Sequence, residues 1–149
     1  MIYTSYFANC RNIPQEIYRI SIARYSDRFP DIPKYEKLMP AKDLIYKIKN
    51  GIYNQFQYTK KFNSYLNSMD PEDIVEELYK MSGGRDIVLL CYESPDKFCH
   101  RQLVCKWFID NFIRCQEFGQ PELTSREWLA KLGVTDEELR NFNICPVCP

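Results

Sequence analysis

Ile87-Val-Leu-Leu-Cys-Tyr92 is a short apolar run with no polar alternation, and it limits this chain to few folds. A strand with one solvated face alternates. An unbroken run of this length, between Gly83-Gly84 and a proline-containing loop, fits a strand covered on both faces. Such strands sit in mostly parallel sheets flanked by helices. The run leads into a polar loop with Glu93 and Pro95. Cys99-His100-Arg101 then opens a segment whose Leu103, Val104, Trp107, Phe108 and Phe112 form a wide apolar side. This is a strand, a loop and a helix start, and in open α/β sheets ligands bind outside the carboxyl ends of strands, where helix N-termini point. The chain's only histidine lies there.

The rest of the chain agrees with an α/β fold. Residues 2–7 and 17–25 are rich in β-branched and aromatic residues and are expected as strands. Phe29-Pro-Asp-Ile-Pro33 is an extended loop, since its two prolines exclude a regular helix. Pro40 is expected to start a helix through Ile48, ended by Asn50-Gly51. A second helix is expected over 53–66. A third starts at Asp70-Pro71-Glu72-Asp73 and buries Ile74, Leu78 and Met81. Thr124-Ser-Arg-Glu127 has the capping-box pattern of a short tail helix. Gly133 stops it, and a second tail helix is expected from Thr135. That last helix carries Asp136, Glu137 and Glu138 against Arg140, which opposes DNA reading by this hairpin. The expected division is an α/β domain over 1–118 and a helical extension packed on it over 119–149.

Composition excludes whole classes. With 45% hydrophobic and 15% aromatic residues the chain is not disordered, and 149 residues suffice for one domain with a real core. No apolar run approaches the roughly 20 residues of a membrane span. The N-terminus lacks the basic and long apolar parts of a signal peptide, and the seven cysteines are odd in number, so a reduced cytoplasmic setting is expected. Formal net charge is zero and selects no partner, but charge is uneven. Residues 34–61 hold seven lysines against Glu36 and Asp43, interleaved with Tyr35, Tyr46, Tyr53, Phe56 and Tyr58. Such a mixture can hold phosphates and stack bases. The plainer reading is an amphipathic helical pair with solvated lysines.

The strongest chemical candidates surround Cys99-His100-Arg101. At a helix start beside Arg101, Cys99 is placed to ionise below the free-thiol value of about 8.5, which suits a nucleophile. The competing reading is a small buried residue closing the loop. His100 is a candidate acid or base, and otherwise a loop anchor. Arg101 is a planar charged fork suited to a phosphate or carboxylate, or to a salt bridge with Glu93. Glu93, just past the strand end, is a candidate base or ribose contact. Cys91 is expected in the core. Ser5, Tyr6 and Arg24 lie near the ends of the neighbouring strands and are candidate ligand contacts in the same cleft.

Cys91-x-Glu93 and Cys99-His100-Arg101, with the strands Ile2-Tyr-Thr-Ser-Tyr6 and Ile20-Ser-Ile-Ala-Arg24, resemble the domain of unknown function 488 family. Its members are small bacterial, archaeal and phage proteins. The resemblance covers residues 1–115. It implies a Rossmann-like three-layer α/β sandwich, a mostly parallel sheet with helices on both faces, here followed by the helical tail. It supports Arg24 as a cleft residue and implies no settled activity. Many members carry Asp-Val-Arg where this chain has Ile22-Ala23-Arg24, so no acidic role at 22 or 23 carries over.

Several schemes fail on spacing. Cys91 to Arg101 is too long, and Cys99 to Arg101 too short, for a cysteine-phosphatase loop. There is no Walker loop and no Gly-x-Gly-x-x-Gly, and no cofactor is expected. Cys145-Pro-Val-Cys148 lacks a following helix for a thioredoxin-type pair and two ligands for a zinc site, so free thiols are expected and no metal. The leading expectation is a protein that binds an anionic small molecule, a nucleotide or nucleic-acid component. Arg101, Arg24, Tyr6 and Ser5 would make contacts, and Glu93, Cys99 and His100 would react. The alternative is a non-catalytic module using segment 34–65 to hold nucleic acid or protein.

Overall fold

The computed structural model describes residues 1–134, 137 and 138. The second tail helix and the Cys145/Cys148 pair therefore lie outside the described residues. Four parallel strands form one sheet in the order β2-β3-β1-β4: β1 (Ile2–Tyr6), β2 (Tyr18–Ser21), β3 (Ile87–Cys91) and β4 (Cys115–Glu117). Five named α-helices accompany it among the described residues: α1 (Lys42–Lys49), α2 (Gln55–Asn67), α3 (Pro71–Ser82), α4 (His100–Asp110) and α5 (Ser125–Lys131). The protein is thus an α/β Rossmann-like sandwich. No helix among the described residues is long and apolar enough to cross a membrane.

All five residues of β3 are buried, as its unbroken apolar run requires. Ile87 and Leu89 join Ile2 and Ile20 in a cluster with Leu44 of α1, Phe62 of α2, Leu78 of α3, Phe108 of α4 and Trp128 of α5. Val88 and Leu90 face the other side. There the 3-10 helix Phe7–Asn12 and neighbouring loops cover them with Phe7, Ile13, Ile17 and Ala23. The crossovers from β2 to β3 and from β3 to β4 both run on the α-helical face. The leftward return from β1 to β2 runs on the opposite face, so all three connections share one hand. Because the connections leave adjacent β1 and β3 in opposite directions, the crevice beyond Tyr6 and Cys91 is the sheet's topological switch point.

Helix boundaries follow the local signals with small shifts, except that α4 ends at Asp110, so Phe112, expected on its apolar side, lies past the helix at φ 63° and is exposed. Asp70 caps α3, its carboxylate accepting from Glu72 N–H at 2.9 Å, and Gly83 ends it at φ 66°. Asn54 and Gln57 form a reciprocal capping box that starts α2 at Gln55 rather than Tyr53. α1 starts at Lys42, two residues past the expected Pro40. The expected strand over 17–25 is cut to Tyr18–Ser21. Ser21 Oγ bonds Ser26 Oγ at 2.9 Å and turns the chain away, while Pro33 C=O and Tyr35 N–H take up the Ser21 backbone groups. β4 is an additional strand, too short to read from sequence.

Candidate functional site

The switch-point crevice is built around one side chain. Arg101, in the first turn of α4, is fully buried and makes four hydrogen bonds. Its Nε and Nη2 clasp the Glu117 carboxylate at 3.0 and 2.9 Å, and its Nη1 donates to Cys91 Sγ at 3.2 Å and to the Glu93 carbonyl. Glu117 is itself 4% exposed and also accepts from Thr4 Oγ1 at 2.8 Å, its register partner in β1. The guanidinium lies 5.7 Å from the Tyr6 ring centroid. Ser5 is buried and accepts from Asn9 Nδ2 at 3.1 Å, on the face of β1 opposite to Thr4. The salt bridge foreseen with Glu93 is therefore made with Glu117, and Glu93 contributes its backbone oxygen while its side chain stays exposed. A fork so engaged is a structural hub that ties β1, β3, β4 and the loop 92–99 to α4. It is not placed as a surface clamp for an anion.

His100 is turned inward. A carbonyl can only accept, so the 2.7 Å contact to Ile22 O assigns the proton to Nε2. Nδ1 then presents its lone pair to Cys99 Sγ, 3.8 Å away. Burial lowers the imidazole from 6.5 to about 4, opposed by the Ile22 bond and aided by Arg101, so the ring is neutral at pH 7. The edge of the Phe62 ring packs against it, with centroids 5.7 Å apart. Gln102 shapes the loop before it, accepting from Cys99 N–H at 3.1 Å and donating to Lys97 O at 3.2 Å. Cys91 and Cys99 are joined as a disulfide, with Cα atoms 7.7 Å apart. The nucleophilic role expected of Cys99 is thus open only to the reduced pair. Among the described residues, Cys91, Cys99 and His100 form the one His, Cys, Asp or Glu group with metal-ligand geometry, their donor atoms within 4.8 Å of one another.

Arg24 lies elsewhere. It follows β2 and lines a cleft of about 300 Å³ with Lys47, Lys61, Tyr53, Phe62 and Tyr65, whereas Arg101, Tyr6 and Ser5 do not line it. Arg24 Nε donates to Pro40 O at 2.7 Å, and its Nη groups have no protein partner among the described residues. Lys47 pairs with Asp43 at 3.0 Å and lies 4.9 Å from the Tyr53 ring centroid. The Tyr65 hydroxyl donates to Lys37 O at 2.7 Å, which fixes that ring. The two sites meet at Phe62, which lines the cleft and touches His100. Sequence reasoning brings both arginines to one cleft, and the structure separates them across the His100–Phe62 contact. It also overlooks Glu117. The only signal was a carboxylate alternating with Ile113 and Cys115 after α4, and that is too short to name a strand.

A parallel sheet with this order, and a Cys-His-Arg helix start at its switch point, defines a Rossmann-like α/β protein with a buried arginine hub. The profile described as the active DUF488-N3 subclade matches residues 3–111, and the chain belongs to that family. No curated protein and no solved structure matches it.

Proposed function

We propose that the protein binds a phosphorylated small molecule, a nucleotide or nucleic-acid component, in the Arg24 cleft. The observation that carries this reading is charge. Arg24, Lys47 and Lys61 line the cleft against a single carboxylate, Asp43, which Lys47 already pairs. Arg24 keeps two Nη groups, a fork suited to phosphate. Tyr53 and Tyr65 supply faces for a base or sugar. The volume, about 300 Å³, is at the lower end for small-molecule sites and favours a mononucleotide-sized ligand. Arg101 supports this cleft at a distance, by fixing the loop and helix that hold His100.

Glu93 does not line this cleft, and the proton transfer expected of it is a separate part of the proposal, placed at the crevice beyond β3. With His100 turned inward and Cys99 in a disulfide, its exposed carboxylate is the expected reacting group with open access to solvent. The description of the subclade as active supports chemistry at this signature. A second reading rests on Lys42, Lys49 and Lys60, exposed on α1 and α2 outside the cleft lining, which extend the basic surface toward a longer nucleic acid.

A thermal-shift and titration series on wild type and Arg24→Ala tests the proposal, with mononucleotides, sugar phosphates, inorganic phosphate and short oligonucleotides. Stabilisation by a mononucleotide or sugar phosphate, lost in Arg24→Ala, supports it. No response to any small anion overturns it. Binding of oligonucleotides alone, weakening steeply with salt, moves the assignment to the α1–α2 surface. Turnover is read separately: Glu93→Gln retains binding and loses it.

A further inference from the structure

We infer that Cys91, Cys99 and His100 form a binding site for a thiophilic divalent metal ion, with zinc as the fitting member, once the Cys91–Cys99 pair is reduced. This inference is independent of the cleft reading. The three donor atoms lie within 4.8 Å of one another at the switch point. Two sulfurs and an imidazole nitrogen are a ligand set zinc accepts, and three protein ligands leave one position of a tetrahedron for water or an added donor.

The backbone favours a bridging ion. The Cα atoms of Cys91 and Cys99 are 7.7 Å apart, beyond the roughly 4.4–6.8 Å usual for disulfides. A shared tetrahedral ion with Zn–S bonds of about 2.3 Å holds two sulfurs roughly 3.8 Å apart and tolerates the wider backbone spacing. The outer groups are also in place. His100 Nε2–H is anchored on the Ile22 carbonyl at 2.7 Å, which fixes the tautomer that frees Nδ1, the usual arrangement for a ligating histidine. Arg101 Nη1 donates to Cys91 Sγ at 3.2 Å and steadies a thiolate there.

Charge balances as well. Two thiolates neutralise a divalent ion, and Arg101 and Glu117 neutralise each other, so no net charge is left in a buried place. Loading proceeds in two balanced steps. A dithiol reductant transfers two electrons and two protons to the disulfide, giving two thiols and its own disulfide. The ion then binds, and the two thiol protons go to solvent.

The test uses the full chain carrying Cys145→Ser and Cys148→Ser, which removes the one Cys-x-x-Cys spacing in the sequence. The protein is reduced, freed of reductant without air, and titrated with Co²⁺. The expected result is one equivalent bound, with thiolate-to-cobalt charge-transfer absorption and the strong visible bands of a tetrahedral ion, displaced by Zn²⁺. The oxidised protein gives neither. Cys99→Ser abolishes the charge-transfer band, and His100→Ala weakens binding at least tenfold. A reduced protein that binds no Co²⁺, or spectra unchanged in Cys99→Ser, overturns the inference. If Cys99→Ser does not fold, the comparison of oxidised and reduced forms of the same chain decides.

Discussion

Arg101 and Arg24 follow the sheet's parallel strands in similar ways, yet the fold uses them oppositely. Arg101 is fully buried, with four of its five N–H donors bound to a carboxylate from β4, a sulfur and a carbonyl. Arg24 is half-buried, spends only Nε on Pro40 O, and lines an open cleft with two lysines. The same side chain is a structural hub where a counter-charge meets it inside the protein, and keeps its Nη groups toward a cleft where none does. A guanidinium beside a strand end therefore does not reveal its role until its partners are known.

Removing either partner of the buried pair should have the largest effect. Arg101→Ala or Glu117→Gln leaves an uncompensated charge in the core and should cost about 3–5 kcal/mol, read by urea denaturation. The double replacement Arg101→Met/Glu117→Leu should cost far less than the sum of the two. A Glu117→Gln variant as stable as wild type would show that the hub is not structural.

Arg24→Ala should do the reverse. Its stability should fall by no more than about 1 kcal/mol, the worth of its bond to Pro40. Its affinity for a phosphorylated ligand should fall by roughly 10–100-fold, the range of a charge-assisted contact, as measured by calorimetry. A large stability loss with unchanged affinity would make Arg24 a second hub and dissolve the contrast.

Smaller effects mark the periphery of both regions. Asp70→Ala removes the cap of α3 and should cost about 1 kcal/mol without touching ligand binding, again read by urea melts. Glu77 is held below its usual carboxylate range by Lys37 and by the Tyr35 hydroxyl, both in segment 34–61. Its folded-state value is depressed, so the stabilisation is present above the unfolded value of 4.5 and is lost as pH falls through the folded one. Melting temperatures of wild type and Glu77→Gln should differ slightly at pH 7 and converge under acid.

Much of this protein was legible in its sequence where the physics is local. The unbroken run at Ile87–Cys91 announced a doubly covered strand, and Asp70-Pro71 announced a helix start, because burial pattern and capping act over a few residues. The Cys99-His100-Arg101 helix start was legible for the same reason. Its partners were not. Thr4 and Glu117 are 113 residues apart and meet only because β4 adds beside β1. His100 turns inward only because the chain leaving β2 brings the Ile22 carbonyl within reach of its ring. Arg24 joins Lys47 and Lys61 only because α1 and α2, packed on each other, share one cleft with the chain leaving β2. Sequence by itself determined the α/β class, most helix boundaries within a residue or two, and the Cys99-His100-Arg101 helix start. Tertiary structure alone decided which of them are consumed by one another and which face a cleft, since ion pairing and burial depend on long-range neighbours that no local pattern encodes.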